Sequence, residues 1–310
     1  FEDVTVGDIR MADVSVRSMP AHKRGMGMVF QNYALFPHMS VAQNVAFPLE
    51  VRGIGKSDRG KMVDRALAMM RLTDFADRRP AQLSGGQQQR AALARALVFE
   101  PKLVLMDEPL GALDRQLREQ MQIEIQQVAR SLAVTVVYVT HDQHEAMAMS
   151  DRVAVFDKGT VQQLGTPREI YDRPANPFVA QFIGENNELA ATIIKNDAGR
   201  AAATFEDGSR VVLDHVTGAR PGDTVRVFVR PERVTFDTQR LGEGSNRYRA
   251  EVLETLYMGD TIRTRLGFGG GDGFWVKSNE NAQDTPWRVG AIVDFGWLPG
   301  DCRAFASLEI

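Results

Sequence analysis

Over the first half of the chain, short apolar runs alternate with longer stretches of helical period. Met26–Phe30, Leu103–Met106, Val134–Val139 and Arg152–Phe156 are compact and rich in apolar residues, which predicts buried strands. Between them, Val63, Ala66, Leu67 and Met70 recur at i, i+3, i+4 and i+7, and Leu117, Met121, Ile125, Val128 and Leu132 form a second stripe, which predicts two helices with one core-facing side each. Strands alternating with helices from Met26 to about Gly184 predict an α/β domain with a largely parallel sheet. Beyond Gly184 the texture changes. Thr224–Val229, Arg249–Leu256, Ile262–Leu266 and Ala291–Phe295 are short alternating runs separated by Gly, Pro, Asp and Asn, which predicts a small all-β barrel or sandwich.

The expected division is therefore residues 1–184 and 185–310. Before the boundary, Gly165–Gly184 carries Pro167, Pro174 and Pro177 and one short helical stretch. Gly269–Gly271 is read as a loop before a strand at Phe274–Val276; a phosphate cradle would need a following helix. No internal repeat is evident.

Composition narrows the class. A net charge of −3 gives no electrostatic support to a nucleic-acid partner. The longest apolar runs fall far short of the ~20 residues that cross a bilayer, so a membrane link would go through a partner. The single cysteine, Cys302, excludes an internal disulfide and a cysteine-based metal cage, and reads as a small residue near a strand end. Phe1–Glu2–Asp3–Val4 reads as domain interior, so the natural sequence is expected to extend upstream.

The chemistry gathers where apolar runs end. Leu83–Ser84–Gly85–Gly86–Gln87 precedes the helix-period run Ala91–Leu97. Two glycines allow close approach of an anion to the backbone, and a helix starting there offers free N–H groups; Ser84 is equally a simple N-cap. Sixteen residues after Gln87, Leu103–Met106 runs directly into Asp107–Glu108–Pro109. Two carboxylates at the carboxyl end of a buried parallel strand lie where such folds bind ligands, one suited to Mg²⁺ and the next to activating water. Val134–Val139 ends in Thr140–His141–Asp142, and Met26–Phe30 ends in Gln31. Three apolar strands thus each end in a group able to touch phosphate, Mg²⁺ or water.

The order Gln31, Leu83–Gln87, Leu103–Pro109, Ala112–Leu113–Asp114, His141 resembles the Q-loop, signature, Walker B, D-loop and H-loop of the ABC ATPases, across the whole first domain. The resemblance implies an ABC-type nucleotide-binding domain, with a Walker sheet and a helical subdomain, that hydrolyses ATP with Mg²⁺. Glu108 would be the general base, Asp107 would hold Mg²⁺ through water, His141 would contact the γ-phosphate, and Gln31 would sense Mg²⁺ and water. Ser84, Gly85 and Gly86, with Gln87 close by, would clamp the γ-phosphate of a nucleotide held by a second copy of the subunit. Asp114 would link the two sites of that dimer.

One part of the pattern is missing: no G-x-x-x-x-G-K-[ST] loop occurs. Gly55–Lys56–Ser57 fails because Glu50 stands where the first glycine belongs, and it follows Gln31 whereas the family's loop precedes it; Ser57 or Asp58 is expected to cap the next helix. The real loop is expected upstream of Phe1, and residues 1–310 alone are not expected to form a complete ATP site. A non-hydrolysing regulatory or binding protein that has lost the loop is the alternative of a different class. Chromosome-maintenance and repair ATPases share the signature but interrupt the domain with coiled coils, and no heptad run is present here.

Tyr33–Val41 with Asn44–Val45 resembles the surface of importer ATPases where a permease's coupling helix docks. Asp151–Val155, Gly165–Pro167, Tyr171, Pro174, Asn176–Val179 and Phe182–Gly184 resemble the end of that domain in importers for polyamines, ferric iron, sulfate and sugars. The remainder looks like their oligonucleotide-binding-fold-like (OB-like) accessory domain, most recognisably at Val229–Arg230–Pro231–Glu232. The overall texture is most similar to the spermidine/putrescine group. The resemblance implies a peripheral protein on the cytoplasmic face of the bacterial inner membrane, with integral permease subunits and, indirectly, an extracytoplasmic substrate-binding protein as partners.

Overall fold

The computed structural model describes residues 3–111, 113–197, 200–279 and 287–306; Phe1, Glu2 and Ala112 of the segments discussed above lie outside them. Packing divides the chain into two units, Phe1–Ser150 and Asp151–Ile310.

The first unit opens with a two-residue hairpin, β1 (Arg10–Met11) and β2 (Val14–Ser15). Its centre is a parallel sheet of β3 (Met26–Val29), β4 (Leu103–Asp107) and β5 (Thr135–Val139) in that order, with Val29 beside Met106 and Asp107 beside Val139. This register carries all three strands to their carboxyl ends at one edge. The helices are α1 (Val41–Val51), α2 (Lys56–Met69), α3 (Gly85–Leu97), α4 (Arg115–Ser131) and α5 (Gln143–Met149).

Both sequence-predicted stripes face the core: Val63, Ala66, Leu67 and Met70 are buried, as are Met121 and Ile125. Helix α1 has no such prediction behind it, since Pro48 interrupts it; a Ser40–Gln43 capping box starts it. The start of α2 differs from expectation. Gly55 is its N-cap and Lys56 its first residue, so neither Ser57 nor Asp58 caps it; Asp58 lies in the first turn, where a carboxylate favours the helix dipole.

Helix α3 lies unusually close to β3. A Cβ added to Gly27 would stand 2.4 Å from the Ala96 carbonyl oxygen and 3.3 Å from Val104 Cγ2. Gly27→Ala should therefore force the helix off the sheet and destabilise the protein by about 1–3 kcal/mol, the range for an overpacked core, read as a lower urea midpoint at unchanged slope.

The second unit begins with β6 (Val153–Asp157), β7 (Thr160–Gly165), α6 (Pro167–Asp172) and α7 (Pro177–Phe182). Here the sequence reading is corrected twice. The run Arg152–Phe156 forms an antiparallel hairpin, β6–β7, in its own two-stranded sheet rather than joining the parallel one. The proline-containing segment holds two short helices rather than one, because Thr166 and Asn176 each cap a helix whose first residue is proline.

The rest of the unit is all β. One sheet holds β8 (Asn187–Asp197), β9 (Arg200–Phe205), β10 (Arg210–Leu213), β11 (Val216–Thr217), β12 (Thr224–Val229) and β17 (Cys302–Ala306), in the order β10-β9-β8-β12-β17-β11. The other holds β13 (Asn246–Tyr257), β14 (Thr261–Phe268), β15 (Gly271–Asn279) and β16 (Ile292–Trp297), in the order β15-β14-β13-β16. Between them Phe205, Phe268, Phe274, Phe295 and Trp297 bury edge-to-face and stacked rings, the arrangement the aromatic quadrupole favours. Cys302 is buried at the start of β17, where loss of water pushes its thiol up to about 12.

Candidate active site at the sheet edge

The sheet register brings three of the sequence-predicted groups into one cluster. Gln31 Nε2 donates to Glu108 Oε2 at 2.9 Å, and His141 Nδ1 stands 3.0 Å from Glu108 Oε1. Each carboxylate oxygen therefore has its own partner, one from beyond β3 and one from beyond β5. Donation from Nδ1 leaves His141 Nε2 available to a ligand, and the imidazole is 76% exposed. Glu108 itself has φ +42°, a left-handed backbone, while its N–H donates to Val139 O at 3.0 Å and its carbonyl accepts from Gly111 N at 3.2 Å. Asp107 is exposed at the end of β4. Oxygen donors of this kind suit Mg²⁺, which keeps most of its water and takes few protein ligands.

The hydrogen bond and charge of Glu108 raise the affinity of His141 for its proton above the ordinary histidine value. Because the folded value lies above the unfolded one, this pairing contributes fully below pH about 6.5 and is lost as pH rises through the raised value. In Glu108→Gln the His141 titration, followed by proton NMR, should move down towards about 6.5.

The start of β5's exit loop is held from behind. Glu145 is buried and accepts from Tyr138 Oη at 2.8 Å and Thr140 Oγ1 at 2.9 Å, while Asp142 caps α5 and pairs with Arg118 Nη1 at 3.4 Å. Burial, then the bond to Glu145, makes Tyr138 a much weaker acid than usual, so its hydroxyl stays a donor. Arg118 also donates to Leu113 O at 3.1 Å, tying the segment before α4 to the histidine loop.

The other predicted residues stand at two helix starts. Ser84 caps α3: Gln87 N donates to Ser84 Oγ at 3.4 Å and Gln87 Oε1 accepts from Ser84 N at 3.0 Å. Asp114 caps α4, its Oδ1 accepting from Leu117 N at 2.9 Å. A Cβ on Gly85 would touch Leu113 at 3.6 Å and one on Gly86 would touch Leu117 at 3.2 Å, so the two helix starts pack side by side. Among the described residues no hydrogen bond joins Ser84–Gln87 to the Gln31–Glu108–His141 cluster.

Sequence reasoning missed what holds the loop after Gln31. Arg95, buried on α3, donates through Nη1 to Ala34 O at 2.6 Å and through Nη2 to Tyr33 O at 2.7 Å. Tyr33 and Ala34 have φ +62° and +45°, so the arginine fixes a backbone shape that L residues seldom adopt. Fully buried Asn44 works beside it, accepting from Phe36 N at 2.8 Å and donating to Phe36 O at 3.1 Å. The available signal was an arginine inside the otherwise Ala- and Leu-built run Ala91–Leu97, since a charge on a buried helix face needs a partner.

A parallel sheet with a carboxylate, an amide and an imidazole converging at its carboxyl edge is the arrangement expected of a nucleotide-binding domain of the ABC type. Residues 1–111 match the ABC transporter family and residues 227–305 the TOBE domain family. The chain is 45% identical to the spermidine/putrescine import ATP-binding protein PotA of Roseobacter denitrificans, over 99% of this chain and 85% of that protein. The PotA proteins of Rubrobacter xylanophilus and Aliivibrio fischeri are 42% and 44% identical, over 97% and 96% of this chain and 80% of each relative. The chain belongs to the family of ABC transporter ATP-binding subunits, ATPases that drive import, and carries a TOBE-type OB-like domain after its nucleotide-binding domain.

Proposed function

We propose that this chain supplies the ATP-hydrolysis step for import of polyamines, spermidine and putrescine, with Glu108 as general base. The observation that carries the mechanism is the carboxylate of Glu108 held at both oxygens, by Gln31 and by His141. A base so positioned accepts a proton from water once one partner lets go, and His141, still oriented, can offer Nε2 to the terminal phosphate. Asp107 and Gln31 are the residues that would hold Mg²⁺, which when bound neutralises charge on the β- and γ-phosphates. Polyamine as cargo is supported by the names of the relatives at 40–45% identity.

In the working assembly Ser84, Gly85, Gly86 and Gln87 of one copy face a nucleotide on the other, and Asp114 lies at the seam. The start of α3 suits this: Ser84 Oγ accepts from the backbone, which leaves its proton free to donate. Residues 1–184 act as the ATPase part and 185–310 as the accessory part. Tyr33–Val41 with Asn44–Val45, held by Arg95 and by Asn44 itself, is the surface for a permease helix, and the subunit works at the cytoplasmic face of the membrane; among the described residues no helix is long and apolar enough to cross it. An external substrate-binding protein delivers the cargo.

The test is uptake of labelled spermidine by cells whose own importer ATPase is replaced by this protein with its cognate permease. Uptake that depends on the replacement supports the reading. Uptake of sulfate, ferric iron or a sugar instead of spermidine overturns the cargo and keeps the ATPase.

A further inference from the structure

The second unit contains a cavity of about 650 Å³ that the ATPase reading leaves without a task. Its volume lies in the range of small-molecule sites, about 300–1,000 Å³. Five arginines line it (Arg168, Arg173, Arg230, Arg233, Arg303) against three carboxylates (Glu169, Asp172, Asp301), a balance of 5 − 3 = +2 with His215 in addition.

The carboxylates are already engaged. Glu169 closes the capping box of α6 with Thr166. Asp172 is shared by Arg168 at 3.2 Å and Arg233 at 3.1 Å. Asp301 accepts from Leu298 N at 3.4 Å and stands 3.9 Å from Arg233. Arg230 is consumed by backbone carbonyls, those of Ile183, Glu185 and Tyr171, and stacks on the Tyr171 ring at 4.0 Å.

Two guanidinium groups and an imidazole remain. Arg303 gives Nε to Asp172 O at 3.2 Å and keeps the rest of its guanidinium. Among the described residues, Arg173, Arg303 and His215 have no ion pair. They also influence one another: loss of water, then Arg303 and Arg173, outweighs the nearby Asp214 carboxylate and holds His215 below the usual histidine range, while burial, then Arg173, depresses Arg303 against the opposing pull of Cys302 and Asp172. Two guanidinium groups without ion pairs lining one cavity favour an anion that joins them, and the imidazole gains a partner for its proton when such an anion binds. Two guanidinium forks and an imidazole can give three or more donors, which suits a tetrahedral oxyanion better than a planar carboxylate.

We propose that Arg173, His215 and Arg303 bind a phosphate dianion, with the rest of the cavity open to the organic part of a phosphorylated metabolite. A ligand seated there bridges α6, the turn before β11 and β17, and so adds a contact across the second unit.

The experiment is proton NMR of the full-length protein, following His215 among five histidines, during titration with glycerol 3-phosphate, inorganic phosphate or glycerol. Glycerol 3-phosphate should raise the His215 titration midpoint, and glycerol should not. Arg173→Gln, an exposed position whose loss leaves packing intact, and Arg303→Gln should each weaken binding at least about tenfold, the loss of one charge-assisted contact, with basal ATP hydrolysis unchanged. Tighter binding of glycerol 3-phosphate than of inorganic phosphate assigns the site to a metabolite; equal affinity assigns it to free phosphate. No movement of His215 with either at about ten millimolar, or binding indifferent to both arginine variants, overturns the proposal.

Discussion

Glu108→Gln should lower ATP hydrolysis by about 10²–10⁴-fold, the usual range for a lost general base, while far-ultraviolet circular dichroism stays as in the wild type. The substitution keeps the shape of the side chain and an acceptor for Gln31, so the loop geometry survives. What goes is the capacity to take a proton. Phosphate release from the complete assembly, measured at saturating ATP, gives the answer. Hydrolysis within tenfold of wild type would move the base elsewhere. ATP-dependent association of two copies should persist or lengthen in this variant, because binding no longer leads to cleavage.

The second large effect is expected at Arg95. Replacing it with methionine keeps most of the volume but leaves two carbonyls, Tyr33 O and Ala34 O, without their charged donor. Each bond to a charged group is worth roughly 1.5–3 kcal/mol, so with two of them gone a loss of about 3–6 kcal/mol in urea unfolding is expected. Arg95→Lys should recover part of it, since an ammonium can reach one carbonyl but lacks the fork that serves both. Loss of stability below about 1 kcal/mol in the methionine variant would mean that Asn44 alone holds the loop. In the assembled importer the same variant should hydrolyse ATP with reduced uptake per ATP, because the loop proposed to meet the permease is no longer fixed to α3.

Strand positions and the polar groups at their ends were legible because burial makes each strand an apolar run that stops at the first polar residue of the sheet edge. Gln31, Glu108 and His141 could be assigned to one edge for that reason. Their mutual bonds could not, as these depend on a register between segments 77 residues apart in the case of Gln31 and Glu108. The hairpin β6–β7 was misplaced into the parallel sheet because a β-branched run does not name its neighbour. Its turn did carry a signal: Lys158 and Gly159 both have positive φ, the shape of a tight hairpin connection, and Asp157–Lys158–Gly159–Thr160 is a sequence that permits it. Arg95 announced a need for partners without identifying them, since its acceptors lie 61 and 62 residues upstream.

The left-handed backbone at Glu108 sets stability against activity at a single position. A non-glycine residue held there costs of order 1 kcal/mol or more, which glycine would not incur. Random variation screened only for robust folding would accept glycine at this place if relief of the backbone outweighed the lost bonds to Gln31 and His141, and would discard the carboxylate proposed as the base. A protein collection enriched for thermal resistance could therefore contain dead enzymes that look improved, and only an assay of turnover would tell them apart.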